Sequence, residues 1–334
     1  MTLEQLGAGI DFVSDTPPTN ATDGDTFLDT SLSPPQVKVF DGGVGSFVRP
    51  QTARNLDQQV SNAGADLRFR GGFQLPLAEF TLDFDVSGQD TNPQGVAFNG
   101  DGTTMFVVGT SSDSVHQYTL SSGFDVSTAS FTGSSFDVSG QETAPGGVAF
   151  TGNGTTMFVV GQNSDSVHQY TLSSEFDVST ASFTGSSFDA SGQDTVPGGV
   201  AFNGNGTTMF VMGSSSASVH QYTLSSEFDV STASFTGSSF DVSGQDTNPG
   251  DVAFTGDGTT MFVMGSSNFS VFQYTLSSGF DVSTASFTGS SFDASGQETA
   301  PGGVAFNGDG TTMFVVGGNS DSVNQYLVGT VGPK

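Results

Sequence analysis

The tripeptide Val-Ala-Phe occurs five times in this chain, beginning at Val96, Val148, Val200, Val252 and Val304, and each copy is 52 residues from the last. A strict period of that length confines the chain to repeat architectures, in which one small unit buries its apolar face against the next copy of itself. The register holds across the whole unit. All five tyrosines share one repeat position (Tyr118, Tyr170, Tyr222, Tyr274, Tyr326) and all three histidines share another (His116, His168, His220). The run Phe-Asp-Val-Ser-Thr-Ala-Ser-Phe-Thr-Gly-Ser-Ser-Phe-Asp recurs unchanged from Phe124, Phe176, Phe228 and Phe280.

Within a unit the pattern is β throughout. Residues 95–98 form a short apolar run, and Asn99-Gly100-Asp101-Gly102 is a Gly-rich hairpin turn. Residues 103–108 are rich in β-branched and aromatic side chains, residues 115–120 alternate with period two, and residues 129–138 supply a fourth strand. Four antiparallel strands in about 50 residues is the size of one propeller blade.

The two ends of the repeat region test this reading. It opens with a fourth-strand-like segment, residues 79–87, before any first strand, and it stops after a third strand near Tyr326. If the front strand completes the last blade, the ring closes and no sheet edge is left to template aggregation. The expected fold is therefore all-β: a five-bladed propeller over residues 79–334, closed by an N-terminal outer strand. A small β-rich module over residues 1–50 precedes it, followed by a short helix and linker over 51–78. The Phe positions 98, 106, 124, 131 and 136 are assigned to blade packing, with Met105, Met157, Met209, Met261 and Met313 as gap-fillers beside them.

Charge narrows the partners. Six Lys and Arg stand against 34 Asp and Glu, a formal net charge of −28, which argues against binding the polyanionic backbone of a nucleic acid. The bases cluster: Lys38, Arg49, Arg54, Arg68 and Arg70 lie early and Lys334 lies last, so residues 71–333 contain none. We read that acidity as a high-salt surface. With no cysteine, disulfides and thiolate chemistry are excluded. No run of apolar residues is long enough for a membrane helix, and the start lacks a secretory signal, so the expectation is synthesis in a cytoplasm without membrane insertion.

Two resemblances add to this. The order Pro-x-Gly-Val-Ala-Phe, Asp-Gly-Thr, Phe-Val-Val, Ser-Val-x-Gln-Tyr over Pro93 to Tyr118 resembles the first three strands of YVTN and NHL propeller blades. Upstream, Asp-Gly-Asp-Thr-Phe-Leu-Asp-Thr at 23–30, Val-Lys-Val-Phe-Asp-Gly at 37–42 and Ser46-Phe47-Val48 resemble a small N-terminal module of tail-fibre and related structural proteins of tailed phages and haloarchaeal tailed viruses. That resemblance implies attachment to a particle. Phe27, Val39, Phe40 and Phe47, with Leu56 and Val60 of the short helix, are the expected attachment or oligomerisation residues.

Catalytic and metal chemistry find little support in the spacing. Asp101, Asn153, Asn205, Asp257 and Asp309 sit alone between glycines, which suits turns rather than an EF-hand ligand set. Asp90, Glu142, Asp194, Asp246 and Glu298 could ring one mouth of the propeller; solvated surface is the expected role, a Ca2+ or other cation site the alternative. No cofactor is required. A propeller glycan hydrolase would need paired carboxylates in the innermost strands, and Asp251 stands there by itself.

Differences between the units carry more information than their shared residues. They gather in the loop entering the first strand and in the loop between the second and third, two loops that leave a blade on the same face. The candidate receptor-contact residues are Asn92, Thr110, Asp113, His116, Gln162, Asp165, His168, His220, Asp251, Asn268, Phe269, Phe272, Asn319, Asp321 and Asn324. The expected function is a non-enzymatic virion structural protein, a tail fibre or spike on the virion surface. Its residues 1–70 would contact other virion proteins, its propeller would bind a host-surface protein or glycan, and the whole would assemble as a homo-oligomer. A capsid decoration or turret protein is the alternative, and a hydrolase the third reading.

Overall fold

A computed structural model describes residues 75–328 and, before them, four strands: β1 (Phe12–Ser14), β2 (Thr26–Asp29), β3 (Gln36–Asp41) and β4 (Ser46–Val48). The chain divides into two compact units, residues 1–72 and 73–334. In the first unit the four strands form one sheet in sequential order, with β1 parallel to β2 and the remaining pairs antiparallel. Phe27, Val39, Phe40 and Phe47 lie on those strands, whereas the expected helix with Leu56 and Val60 lies outside the described residues.

The second unit is a five-bladed propeller of four-stranded antiparallel sheets. Blade 1 comprises β6 (Pro93–Phe98), β7 (Thr104–Gly109), β8 (Ser114–Leu120) and β9 (Ala129–Asp137), in that order from the centre outwards. Blades 2, 3 and 4 repeat it, with innermost strands β10 (Pro145–Phe150), β14 (Pro197–Phe202) and β18 (Pro249–Phe254) and outermost strands ending at Asp189, Asp241 and Asp293. Blade 5 contains β22 (Pro301–Phe306), β23 (Thr312–Gly317) and β24 (Ser322–Leu327), and its outer strand is β5 (Glu79–Asp85) from the front of the repeat region. Antiparallel pairing of Val323 with Phe84 and of Tyr326 with Phe80 closes the ring as the chain ends implied.

Period-two alternation in the second strand explains how the blades hold together. In β7, Met105 and Val107 join the core shared with blade 5, while Phe106 and Val108 join the core shared with blade 2. Each strand thus feeds two interfaces, and the chain has five inter-blade cores rather than one central one. The five tyrosines and the β7-type phenylalanines are fully buried in them. One expectation is corrected here. Phe131 and its equivalents Phe80, Phe235 and Phe287 lie on outermost strands, 36 to 40% exposed, because only one face of that strand meets a neighbouring blade. They pack edge-on or tilted against the tyrosine of the same blade.

The Gly-rich turns behave as turns. Asp101 Oδ1 accepts from the Thr103 amide at 3.0 Å and from its hydroxyl at 2.6 Å, and Asp257 and Asp309 do the same for the threonine two residues on. These bonds hold the Asp101 and Asp257 carboxyls below their ordinary range, and at Asp309, where burial is the largest single influence and pushes upward, the bonds together still bring the carboxyl below it. At the next residue, Gly102 adopts φ +72°, and a Cβ there would lie 2.4 Å from the Phe124 ring, so glycine is needed both for conformation and for space.

Candidate functional site

The face that carries the two variable loops is built by short-range bonds. In every blade the first residue of the loop after the second strand donates its amide to the carbonyl of the loop entering the first strand, as Thr110 does to Asn92 at 3.1 Å and Gln162 to Ala144 at 3.1 Å. A buried carboxylate fastens the two loops further. Asp90, between 0 and 3% exposed like its four equivalents, accepts from the amides of Asn92 at 2.7 Å and Ser112 at 2.9 Å and from the Ser112 hydroxyl at 2.5 Å. Glu142 and Glu298 bind Ser164 and Ser320 in the same way. The solvated-surface expectation for Asp90, Glu142, Asp194, Asp246 and Glu298 is therefore overturned: they are structural acceptors, desolvated because they satisfy loop amides that would otherwise be orphaned. Among the described residues, no group of three or more acidic or histidine side chains is arranged to hold a metal ion.

The histidines extend this network inwards. Ser112 donates to Asp90, so its oxygen accepts from His116 Nε2 at 2.8 Å, and His116 Nδ1 accepts from the Ser135 hydroxyl at 2.8 Å. His168 and His220 sit between Ser164 and Ser187 and between Ser216 and Ser239. Burial lowers all three imidazoles below their ordinary pKa, partly opposed by the nearby carboxylate. Blade 5 has Asn324 at this position, bonded to Ser320 Oγ at 3.3 Å. Blade 4 has Phe272, and there Asn268 replaces the serine and turns its amide to the Gln245 carbonyl. His116, His168, His220, Phe272 and Asn324 are at most 8% exposed, so they belong to the blade interior and leave the contact face.

The remaining candidates divide by exposure. Asn92, Gln162, Asn268 and Asn319 are exposed, while Thr110, Asp113, Asp165, Asp251, Phe269 and Asp321 are half-buried. Asp113, Asp165, Phe269 and Asp321 share a turn position with φ near +50°, and their carbonyls accept from Val138, Ala190, Ala294 and Val86. Their backbone is thus committed to the loop framework.

At the centre of this face the five entering loops surround a cavity of about 330 Å³, the mouth of the propeller channel. Its lining residues come from five repeat positions: Asn92, Asn248 and Ala300 from one; Gln94 and the glycines 146, 198, 250 and 302 from a second; Gln162, Ser214 and Ser266 from a third; and Thr299 and Pro301 from two at which all units agree, whereas the units differ at the first three. Only Asn92 and Gln162 of the sequence-derived set reach the cavity. Gln94, Asn248, Ser214 and Ser266 were missed as individual contacts. Their signal was present, since Gln94 alone breaks a run of glycines at its repeat position. Those glycines pack tightly: a Cβ on Gly146, Gly198, Gly250 or Gly302 would come within 2.3 to 2.6 Å of the next blade's carbonyl oxygen.

One step below the mouth lies Asp251. Its carboxylate accepts from the Val252 amide at 2.8 Å and from the Val304 amide of blade 5 at 3.0 Å. Desolvation is the larger influence and pushes its pKa up to about 6, with the two amides opposing. A Cβ on the facing Gly199 would collide with Oδ1, so the glycine makes room for the acid. Both oxygens of this carboxylate are used to bridge two innermost strands.

No family model matches the chain, and no curated protein does. Solved structures do. A functionally unknown protein from Desulfotomaculum acetoxidans is similar at 18% identity with a TM-score of 0.45, over 68% of this chain and 66% of that one. The nidogen/laminin complex is similar at 12% identity and TM-score 0.43, over 67% of this chain and 72% of that one. Hydrazine synthase from Kuenenia stuttgartiensis is similar at 17% identity and TM-score 0.42, over 67% of this chain and 55% of that one.

Proposed function

We propose that this chain is a non-enzymatic structural protein of a virion, in which residues 1–70 attach to the particle and the propeller binds a host surface through its loop face. The observation that carries the binding half is the placement of variation. Blade units that share long identical stretches differ at three of the five repeat positions that line the channel mouth, where five-fold repetition would otherwise build a symmetric rim. The turns of the opposite face vary more narrowly, between Asn and Thr at position 99 and its equivalents, Asp and Asn at 101 and its equivalents, and Gly and Glu at 123 and its equivalents. The attachment half rests on the resemblance of residues 11–50 to tail-fibre modules. A catalytic role for Asp251 is disfavoured by its two amide bonds and by the absence of any carboxylate lining the cavity among the described residues.

The test is immunolabelling of particles purified from cells producing the chain, with antibody raised against the propeller. Label on a tail or spike, together with adsorption of purified chain to susceptible cells, is the expected result. Label spread over the capsid without adsorption favours the decoration role, and recovery of the chain only as free protein refutes both.

A further inference from the structure

The lining of the channel mouth points to a ligand class, an inference that rests on the loop-face reading above. Every side chain used here is a neutral amide or hydroxyl. Asn92 and Gln94 are held in place: Gln94 Nε2 donates to Asn92 Oδ1 at 2.9 Å, and Asn92 Nδ2 donates to Thr110 Oγ1 at 2.6 Å. Ser214 donates its hydroxyl to the Pro249 carbonyl at 2.6 Å, which leaves the serine oxygen as an acceptor. Gln162 of blade 2 and Asn248 of blade 4 are exposed on blades that are not neighbours, and their side-chain amides bond to no group among the described residues. The rim therefore presents amides from blades 1, 2 and 4, each offering a donor and an acceptor, around an asymmetric hollow.

Anions are poorly suited to this hollow. It has no basic residue, and residues 71–333 carry none to offset their 25 acids. A cation would find neutral acceptors but also amide N–H groups with nothing to bond. Vicinal hydroxyls both donate and accept, and they match side-chain amides on both counts. The cavity falls at the lower end of the range for small-ligand sites, roughly 300–1,000 Å³.

We infer that the channel mouth binds one neutral saccharide unit through Gln162, Asn248 and Gln94. The test uses the full chain and saturation-transfer NMR with a panel of methyl hexosides and N-acetylhexosamines, with N-acetylneuraminic acid as the anionic probe. Saturation of at least one neutral probe and not of the anionic one is expected. In the double variant Gln162→Ala/Asn248→Ala that affinity should fall about tenfold or more, with an unchanged circular-dichroism spectrum because both side chains are exposed. Saturation of no neutral probe, or binding unaltered by the double variant, would overturn the inference. If the chain adsorbs to cells without binding any saccharide, a protein receptor is indicated and only the ligand class is lost. If it binds a saccharide but is never found on particles, only the virion assignment is lost.

Discussion

The side-chain carbonyl of Gln117 in blade 1 accepts the backbone amide of Val178 in blade 2 at 3.0 Å. Gln169 does the same for Val230, Gln221 for Val282 and Gln325 for Val126, so four of the five blade interfaces carry this clasp at the same length. At the fifth, between blades 4 and 5, Gln273 Oε1 is buried without a partner among the described residues, and so is the hydroxyl of Tyr326. The closing strand arrives from the front of the repeat region, where Leu75 of a different sequence stands in the place of Val126.

Two glutamines of one repeat position should therefore respond differently to the same change. Gln169→Leu leaves the buried amide of Val230 without an acceptor and is expected to cost about 1–3 kcal/mol. Gln273→Leu removes an orphaned carbonyl and is expected to be neutral or stabilising. Urea titrations of the two variants measure this, and equal losses would show that the clasp contributes nothing specific.

The seam makes a second prediction. Because β5 runs on covalently into β6 of blade 1 and is held to the rest of blade 5 only by non-covalent pairing with β24, and because the Gln clasp is missing at the interface between blades 4 and 5, opening of the ring should begin there. Native-state hydrogen exchange should show the amides of β5 and β24 protected less than those of the equivalent pair β8 and β9. Deleting residues 1–87 should expose β24 as an open edge and yield aggregation or loss of cooperative unfolding. A truncated chain that melts like the parent would mean that strand exchange does not close the ring.

Much of this was legible in the sequence because a propeller repeats its local rules. A 52-residue period, a turn glycine at 102, 154, 206, 258 and 310, and unequal ends were enough to place β5 in blade 5. The channel mouth was only half legible. Position 92 and position 162 lie 70 residues apart, and nothing local says that one repeat position faces the axis while another, His116, turns into the blade. That depends on which strand face meets the neighbouring blade. Asp90 was misread for a related reason: an acid in a polar loop looks solvated until the amides folded around it are known.

The histidines predict a direction of pH dependence. Burial keeps His116, His168 and His220 neutral in the folded chain below the value of about 6.5 at which the unfolded chain takes up protons. The unfolded state then binds more protons, so the stability present above that pH is lost as the pH falls through it towards the depressed folded values. Asp251 has the opposite sign. Its folded carboxyl titrates at about 6, above the unfolded value of about 3.9, so it contributes stability as the pH falls through this window. Asn324 shows that asparagine fits the histidine position. In the triple variant His116→Asn/His168→Asn/His220→Asn, thermal midpoints should hold level or rise between about pH 7 and pH 5 while those of the parent fall. A triple variant that keeps the parental acid slope would remove the histidines from the explanation.

The final prediction concerns salt. Between residues 75 and 328 there is no Lys or Arg, so no carboxylate of the described propeller is paired with a base from within it. The buried acids are compensated locally by amides, as Asp90 is, but exposed ones such as Asp137, Asp189, Asp241 and Asp293 receive only the hydroxyl and the amide of the serine two residues on. Those bonds hold their carboxyls below the ordinary range and so keep them charged. The remaining repulsion acts across the ring and weakens as ions screen it, over a Debye length of about 10 Å at 0.1 M and about 3 Å at 1 M. Thermal midpoints should therefore rise with NaCl, most steeply below about 1 M, where the screening length changes most. Replacing the four aspartates by asparagine keeps an acceptor for each serine amide while removing four charges, and it should flatten that rise. A parent whose midpoint is unchanged between 0.1 M and 3 M NaCl would show that the acidity is not an adaptation to brine, and a variant with the parental slope would place the salt response elsewhere than in these charges.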